Sequence, residues 1–515
     1  MAIEKQNYKH MKKKIQVGSE SKFNEQVLQL RRTLFILIFS LLACVSAIGG
    51  NTLYIGASEA NISPVLPVAL NGQMHLRIAY SARTPILANV VALESRDGER
   101  SIDQVIFVSC DLVGMPVILK EMVRKQVHEQ LPELDVNKII LNAIHTHTAP
   151  VTETGLYIIP KKGVTQPEEY QKMFAQRVTE AIVKAWKARK PGSVTWGLTT
   201  AVVAHNRRAV YSDGTAQMYG RTDVPEFQNL EGYEDHDVNS LFFWNKAGKL
   251  IATSIEVPCP AQEVEGDSIV DADYWYPVRN SLKKHLGSDL VVAGWIGAAG
   301  DQSPHLMYGK KADERMRSLS KLSRIDAIAK RIVYAVEEAY ETVKNDRHTD
   351  VILTHHEEML PLPKRIVTEA EYKDSKAVCN DIASRIASND PDAINIHRKM
   401  VWYGTIQKRY EEQQTNPKPM HETEIHVIRL GDVAICTNQF ELFTDYGIRI
   451  QARSKALQTI VVQQAGQGFY LATAKALAGG GYSAISQSNL VSPEGGQILV
   501  DRNVELINSM WPEAK

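Results

Sequence analysis

The sequence predicts a mixed α/β protein: one large domain built on a layered sheet. Short apolar runs rich in β-branched residues alternate with stretches of helical spacing along most of the chain. No internal repeat, low-complexity linker or heptad run divides it. Its 515 residues, 44% hydrophobic and 23% charged, have the composition of a folded chain rather than a disordered one. The 59 basic and 59 acidic side chains cancel, which argues against a nucleic-acid binder working through bulk charge.

Residues 1–47 read as a leader. Lys12, Lys13, Lys14, Arg31 and Arg32 precede the apolar run from Leu34 to Ala47, which is short for a membrane span and fits a secretory signal peptide. Val45-Ser46-Ala47 supplies small residues for cleavage. The rival is a lipoprotein box, Leu41-Leu42-Ala43-Cys44, with Cys44 lipidated. Either reading exports the protein to the periplasm, the cell surface or the medium, with peripheral membrane contact open, and leaves 48–515 as the folded domain.

Taken in order, Leu53 to Ala57, Ile86 to Leu93 and Gln104 to Ser109 read as strands, the last running into Cys110-Asp111. Val117 to Leu131 has helical spacing. Glu168 to Lys190 is a long amphipathic helix that Pro191-Gly192 is expected to stop. Leu250 to Val257 and Leu290 to Ile296 are strand-like, and Ala312 to Lys344 is a charged helix. Val351 to Leu360 and Glu424 to Thr437 carry strand character, the second as a hairpin about Leu430-Gly431-Asp432. Glu441 to Leu457 reads as helix and Thr459 to Gln463 as a last strand. Cys110, Cys259, Cys379 and Cys436 are widely spaced without a Cys-x-x-Cys pair, so no disulfide framework is expected.

The stretch richest in chemistry runs from Lys138 to Pro150. An apolar strand, Ile139-Ile140-Leu141, gives way to His145-Thr146-His147, and Pro150 ends any ladder. On an extended chain residues i and i+2 point the same way. Two imidazoles can then face one spot, one holding a metal and the other touching what the metal holds. The plain alternative is a hydrogen-bonded pair in a loop. Other polar residues also end apolar runs: Asp111, Asn206-Arg207-Arg208, Cys259, Gly300-Asp301-Gln302-Ser303-Pro304, Glu441 and Tyr470. Each alone reads as a turn, a cap or a surface charge. Together they put reactive groups at strand ends, where sheet proteins often build sites.

The order Ala143-Ile144-His145-Thr146-His147-Thr148-Ala149-Pro150, then Asn206-Arg207, then Gly300-Asp301-Gln302-Ser303-Pro304, resembles the neutral, non-lysosomal ceramidases. So do Phe440-Glu441-Leu442-Phe443 with Gly447 and Arg449, Tyr470 with Thr473 and Tyr482, and the opening Gly56-Ala57-Ser58-Glu59-Ala60-Asn61-Ile62-Ser63-Pro64. The resemblance implies that family's catalytic-domain fold and a zinc amidase that cleaves the N-acyl bond of ceramide, a sphingolipid. It implies Zn2+ held by His145, Glu441 and Tyr470, with His147 and Arg207 facing the substrate and Ser303 on the pocket wall. Where the family carries its second zinc histidine, this chain has Cys259 in Val257-Pro258-Cys259-Pro260-Ala261-Gln262. That cysteine is either a thiolate fourth ligand or a buried structural residue. The segment from Ala474 to Gly481 also departs from the family pattern, and the family's C-terminal immunoglobulin-like domain is not expected.

Three functions stay open. The first is an exported zinc amidohydrolase acting on an N-acyl lipid or similar amide. The second keeps the fold but breaks a glycan linkage by hydrolysis or elimination, with Asp273-Tyr274-Trp275-Tyr276 either lining a sugar site or packing. The third is a metal-free protein that only binds its small-molecule ligand.

Overall fold

In a computed structural model, residues 51–511 are described, and the leader readings at 1–47 lie outside them. The central sheet has eight strands: β1 (Thr52–Asn61), β2 (Leu87–Asp97), β3 (Arg100–Cys110), β4 (Ile139–Ala143), β5 (Lys190–Thr200), β6 (Asp237–Asn245), β7 (Leu250–Val257) and β8 (Val291–Ile296), in the order β8-β7-β6-β5-β1-β2-β3-β4. Its two edges, β3–β4 and β7–β8, are parallel, and the other pairings are antiparallel. Parallel neighbours need a crossover. Helix α1 (Val117–Gln130) connects the first edge pair and α3 (Trp275–Leu286) the second, while α2 (Pro167–Lys187) and α4 (Arg324–Val343) extend the same layer.

Period-two alternation decides which face each strand residue serves. Val90, Ala92, Ile106, Val108, Ile139 and Leu141 pack against α1 and α2 through Leu119, Val123, Phe174 and Val178. Their alternates Val91, Leu93, Val105, Phe107 and Ile140 turn to a second sheet. That sheet contains β9 (Leu353–Pro363), β10 (Met420–Leu430), β11 (Val433–Thr437) and β13 (Gln458–Val462), in that spatial order. Ile428, Leu430, Ile435 and Ile460 fill the space between the sheets. The second sheet's other face, with Ile425, Val427 and Val461, is covered by α8 (Thr444–Arg453) and α9 (Pro493–Ser509). The result is helices, sheet, sheet, helices, the layered mixed α/β architecture that the sequence predicts.

Two further pieces shape the site. The two-residue strands β12 (Glu441–Leu442) and β14 (Tyr470–Leu471) pair in parallel. Between β9 and β10, paired from Leu353↔Leu430 to Pro363↔Met420, the chain makes a helical excursion: α5 (Glu369–Ala387), α6 (Pro391–Asn395) and α7 (His397–Thr415).

Several boundaries differ from the sequence reading. Helix α2 ends at Lys187, and Pro191-Gly192 begins strand β5 instead of forming a turn. Proline is tolerated at a strand's start, and a Cβ on Gly192 would stand 2.3 Å from the Trp244 carbonyl. The charged helix is interrupted at Lys321, whose φ of 56° is left-handed, so it forms two helices, Lys310–Ser320 and Arg324–Val343. Glu441 and Leu442 are strand rather than the start of a helix.

Candidate active site

The site grows from the end of β4. The strand stops at Ala143, and His145 adopts φ 64°, a left-handed conformation that histidine accepts more readily than branched residues do. The two histidines do converge, but through this kink rather than the extended alternation expected from sequence. Their rings stand 4.8 Å apart, edge to face, with Nε2 to Nε2 at 3.2 Å. Behind His147, Gly72 has φ 101°, and a Cβ there would sit 2.4 Å from the imidazole Cγ. The buried Arg77 guanidinium ties the segment down by donating to the carbonyls of His147, Asn71, Glu265 and Asp267.

Hydrogen-bond partners assign both tautomers. His145 Nδ1 lies 2.6 Å from the Val113 carbonyl, which can only accept, so Nδ1 carries the proton and Nε2 a lone pair. Arg207 Nη1 donates to Gln262 Oε1 at 3.1 Å, which leaves the Gln262 amide nitrogen to donate to His147 Nε2 at 2.8 Å. His147 is then protonated at Nδ1, 3.3 Å from a Glu265 carboxylate oxygen. The Nε2 lone pair of His145 faces the vertex, with Glu441 Oε2 3.5 Å from that nitrogen, while the Nε2 lone pair of His147, 3.2 Å from His145 Nε2, is taken by the Gln262 amide. Burial holds the His145 pKa down at about 4 against the attraction of Glu441, so the ring is neutral at physiological pH.

Glu441 and Tyr470 arrive together because they are register partners across β12 and β14. The Tyr470 hydroxyl accepts from Arg207 Nη2 at 3.2 Å, and the same nitrogen donates to the Gly300 carbonyl at 2.9 Å. Burial works against the charge of Arg207, but Tyr470, Tyr219 and Glu441 hold it firmly protonated. Burial would also raise the Glu265 carboxyl, yet His147 and His305 hold it well below the usual carboxylate range.

A cavity of about 280 Å³ opens onto this vertex, lined there by His145, His147, Glu441 and Tyr470. Arg207 lies behind Tyr470 and Glu441 rather than on the lining. Ser303 is fully buried against Tyr219, where its Oγ accepts from the His305 amide, and does not reach the cavity. Cys259 is likewise set apart. It is fully buried in an apolar cluster with its thiol toward the carbonyls of Val203 and Pro260, and burial pushes that thiol well up. Gln262, three residues on, supplies the polar contact to the site. Tyr274 and Trp275 are fully buried packing residues, and Asp111 is spent on a buried ion pair with Arg279 at 2.7 Å.

Several contributors escape a reading of the sequence: Gly72, Arg77, Gln262, Glu265, His305 and the first turns of α7. Gln262 and His305 do sit beside flagged positions, Cys259 and Ser303. Nothing in the sequence marks Arg77 or Glu265.

The donor set fits a metal. Ligand atoms about 2.0–2.1 Å from a tetrahedral zinc stand about 3.3 Å from one another, close to the 3.5 Å between His145 Nε2 and Glu441 Oε2. A neutral imidazole, a carboxylate and a phenol oxygen are hard-to-borderline donors of the kind zinc accepts. Among the described residues no group of three or more His, Cys, Asp and Glu side chains forms a metal cage.

Fold and site together define a four-layer α/β protein with a polar cavity beyond the end of the edge strand β4. No family model and no curated protein matches the chain. Solved structures do. A neutral ceramidase from Pseudomonas aeruginosa superposes with a TM-score of 0.64 over 89% of this chain and 75% of that one, at 15% identity. A ceramidase complexed with C2 gives 0.63 over 89% and 76%, also at 15% identity. The chain therefore has the neutral ceramidase fold in divergent form.

Proposed function

We propose that the protein is an exported zinc-dependent hydrolase that cleaves an N-acyl (amide) bond. The observation that carries this is the vertex where the lone pair of His145, the Glu441 carboxylate and the Tyr470 phenol meet, with His147 beside them. The ceramidase fold supports it, as does the motif order that resembles that family. His145, Glu441 and Tyr470 would hold the metal, and Cys259 in its packed position is left out of that set. Bound there, zinc would lower the pKa of a water to about 7 and polarise the amide carbonyl.

The chain's own residues then have separable tasks. Once the Gln262 amide yields its place at His147 Nε2 to the attacking water, that nitrogen takes the water's proton as the water oxygen bonds to the carbonyl carbon, and returns it to the substrate nitrogen as the C–N bond breaks. Glu265 steadies the imidazolium through Nδ1, as a second carboxylate does for many catalytic histidines. Arg207 acts through Tyr470 and Gln262, holding phenol and amide in place, and its fixed positive charge offsets negative charge gathering at the vertex.

Elemental analysis and amide turnover on His145→Ala and His147→Ala test the assignment. His145→Ala should lose zinc, whereas His147→Ala should keep it and lose at least a hundredfold in kcat. Equal zinc loss in both variants contradicts the division of labour.

A further inference from the structure

The cavity leads away from the metal vertex to a wall built by the helical excursion. Arg398, Val401, Trp402 and Thr405 line it from α7. Their spacing of i, i+3, i+4 and i+7 is one face of a helix, so the first two turns of α7 present a continuous surface to the cavity. That surface is anchored. Arg409 on the same helix donates to the carbonyls of Ser486 and Arg365 at 2.7 Å each. At the helix start His397 Nδ1 lies 3.3 Å from the Leu156 carbonyl. The Trp402 ring stands 5.4 Å from Tyr482, which in turn stands 5.9 Å from Tyr470, so aromatic rings connect this wall to the vertex.

Two features of the cavity are left short of partners. Arg398 hydrogen-bonds the Tyr157 hydroxyl and feels Glu153, yet no carboxylate lies within 4.0 Å of it among the described residues. Glu153 is instead held by the Gln467 amide at 2.9 Å. The second feature is Gln464, 1% exposed and at φ 58°, whose side-chain nitrogen and oxygen are both buried with no hydrogen-bond partner. A buried amide left bare costs stability, so Gln464, which lines the cavity, is set to meet a ligand that both donates and accepts. An arginine without a carboxylate partner likewise calls for an anion, and its planar fork matches a carboxylate. A cavity of about 280 Å³ is at the small end for ligand sites, which suits a compact substrate better than one with two long alkyl chains.

We propose that Arg398 forms an anion subsite of this cavity and, with Gln464, selects compact amides that carry a carboxylate, of the N-acyl amino acid kind. This rests on the hydrolase reading for its chemistry but not for its binding. The test therefore separates the two. Ketone isosteres of N-acetyl and N-octanoyl amino acids, with CH2 in place of the amide NH, cannot be cleaved. Calorimetry would compare each as free acid and as carboxamide, on the zinc-loaded protein and on Arg398→Gln and Arg398→Lys, with unfolding temperatures recorded for all three proteins. The free acid should bind about ten- to a hundredfold more tightly than the carboxamide. Arg398→Gln should erase that preference and Arg398→Lys keep part of it. Free acid and carboxamide binding alike, neither binding, or a preference that survives Arg398→Gln overturns the subsite. Turnover of the parent amides is read in parallel. A preference for free acids with no amide cleaved keeps the subsite and overturns the hydrolase; cleavage without the preference does the reverse.

Discussion

The smallest decisions in this molecule are steric. His145 reaches the vertex only by a left-handed backbone, and His147 only because Gly72 leaves its ring room. Gly72→Ala adds a Cβ at φ 101° where the imidazole now lies. Strain and overlap together should cost about 1–3 kcal/mol, with kcat falling further than zinc content because the displaced ring belongs to His147. Kinetics and elemental analysis on one preparation check this. Glu265→Gln should keep zinc and lower kcat about ten- to a hundredfold, since the Nδ1 proton of His147 loses its charged partner. Unchanged kcat removes Glu265 from the mechanism. At Cys259 the packed thiol predicts that Cys259→Ser costs about 1 kcal/mol of stability and leaves zinc occupancy unchanged, as melting and metal content would report. A loss of zinc there returns Cys259 to the ligand set.

At the scale of elements, what was legible in the sequence follows physical signal strength. The strands at Ile106–Val108, Ile139–Leu141 and Val433–Ile435 announce themselves because both faces are buried, so every position is apolar. Helices α5 to α7 were not legible. They are polar on most sides, with Ser375 and Ile382 the buried residues of α5 and Ile406 and Arg409 those of α7, and so lack an apolar stripe. Their contribution to the cavity was hidden with them. His145, Glu441 and Tyr470 were visible as polar breaks along the apolar runs, whereas Arg77, on a three-residue strand paired with Val68–Leu70, and Glu265, on a loop, act through long-range contacts that no local pattern encodes. One interelement tie has a readable pH dependence. Glu358 on β9 pairs with Arg502 on α9 at 2.7 Å, and Arg502 first of all holds its pKa down at about 2. A folded pKa below the unfolded carboxylate value gives stability present above about pH 4.5 and lost as pH falls through about 2. Glu358→Gln should thus lower the melting temperature at pH 7, by the equivalent of about 1 kcal/mol, and the gap to the unmodified protein should narrow as the pH approaches 2. A gap that is constant with pH means the pair is not ionised as described.

Across the whole molecule, the site is a meeting of layers. The His145 kink comes from the first sheet, Glu441 and Tyr470 from segments beside the second, and the cavity wall from an excursion between two strands of that second sheet. A metal bound at the vertex would join these parts and stabilise the folded chain by mass action. The most direct measurement is zinc binding to chelator-treated protein, followed by calorimetry, elemental analysis and melting temperature, with His145→Ala alongside. About one zinc per chain, a raised melting temperature and restored amide hydrolysis in the unmodified protein, all absent in His145→Ala, are the expected result. Protein that takes up no zinc, or takes up as much after His145→Ala, contradicts a metal centre at this vertex.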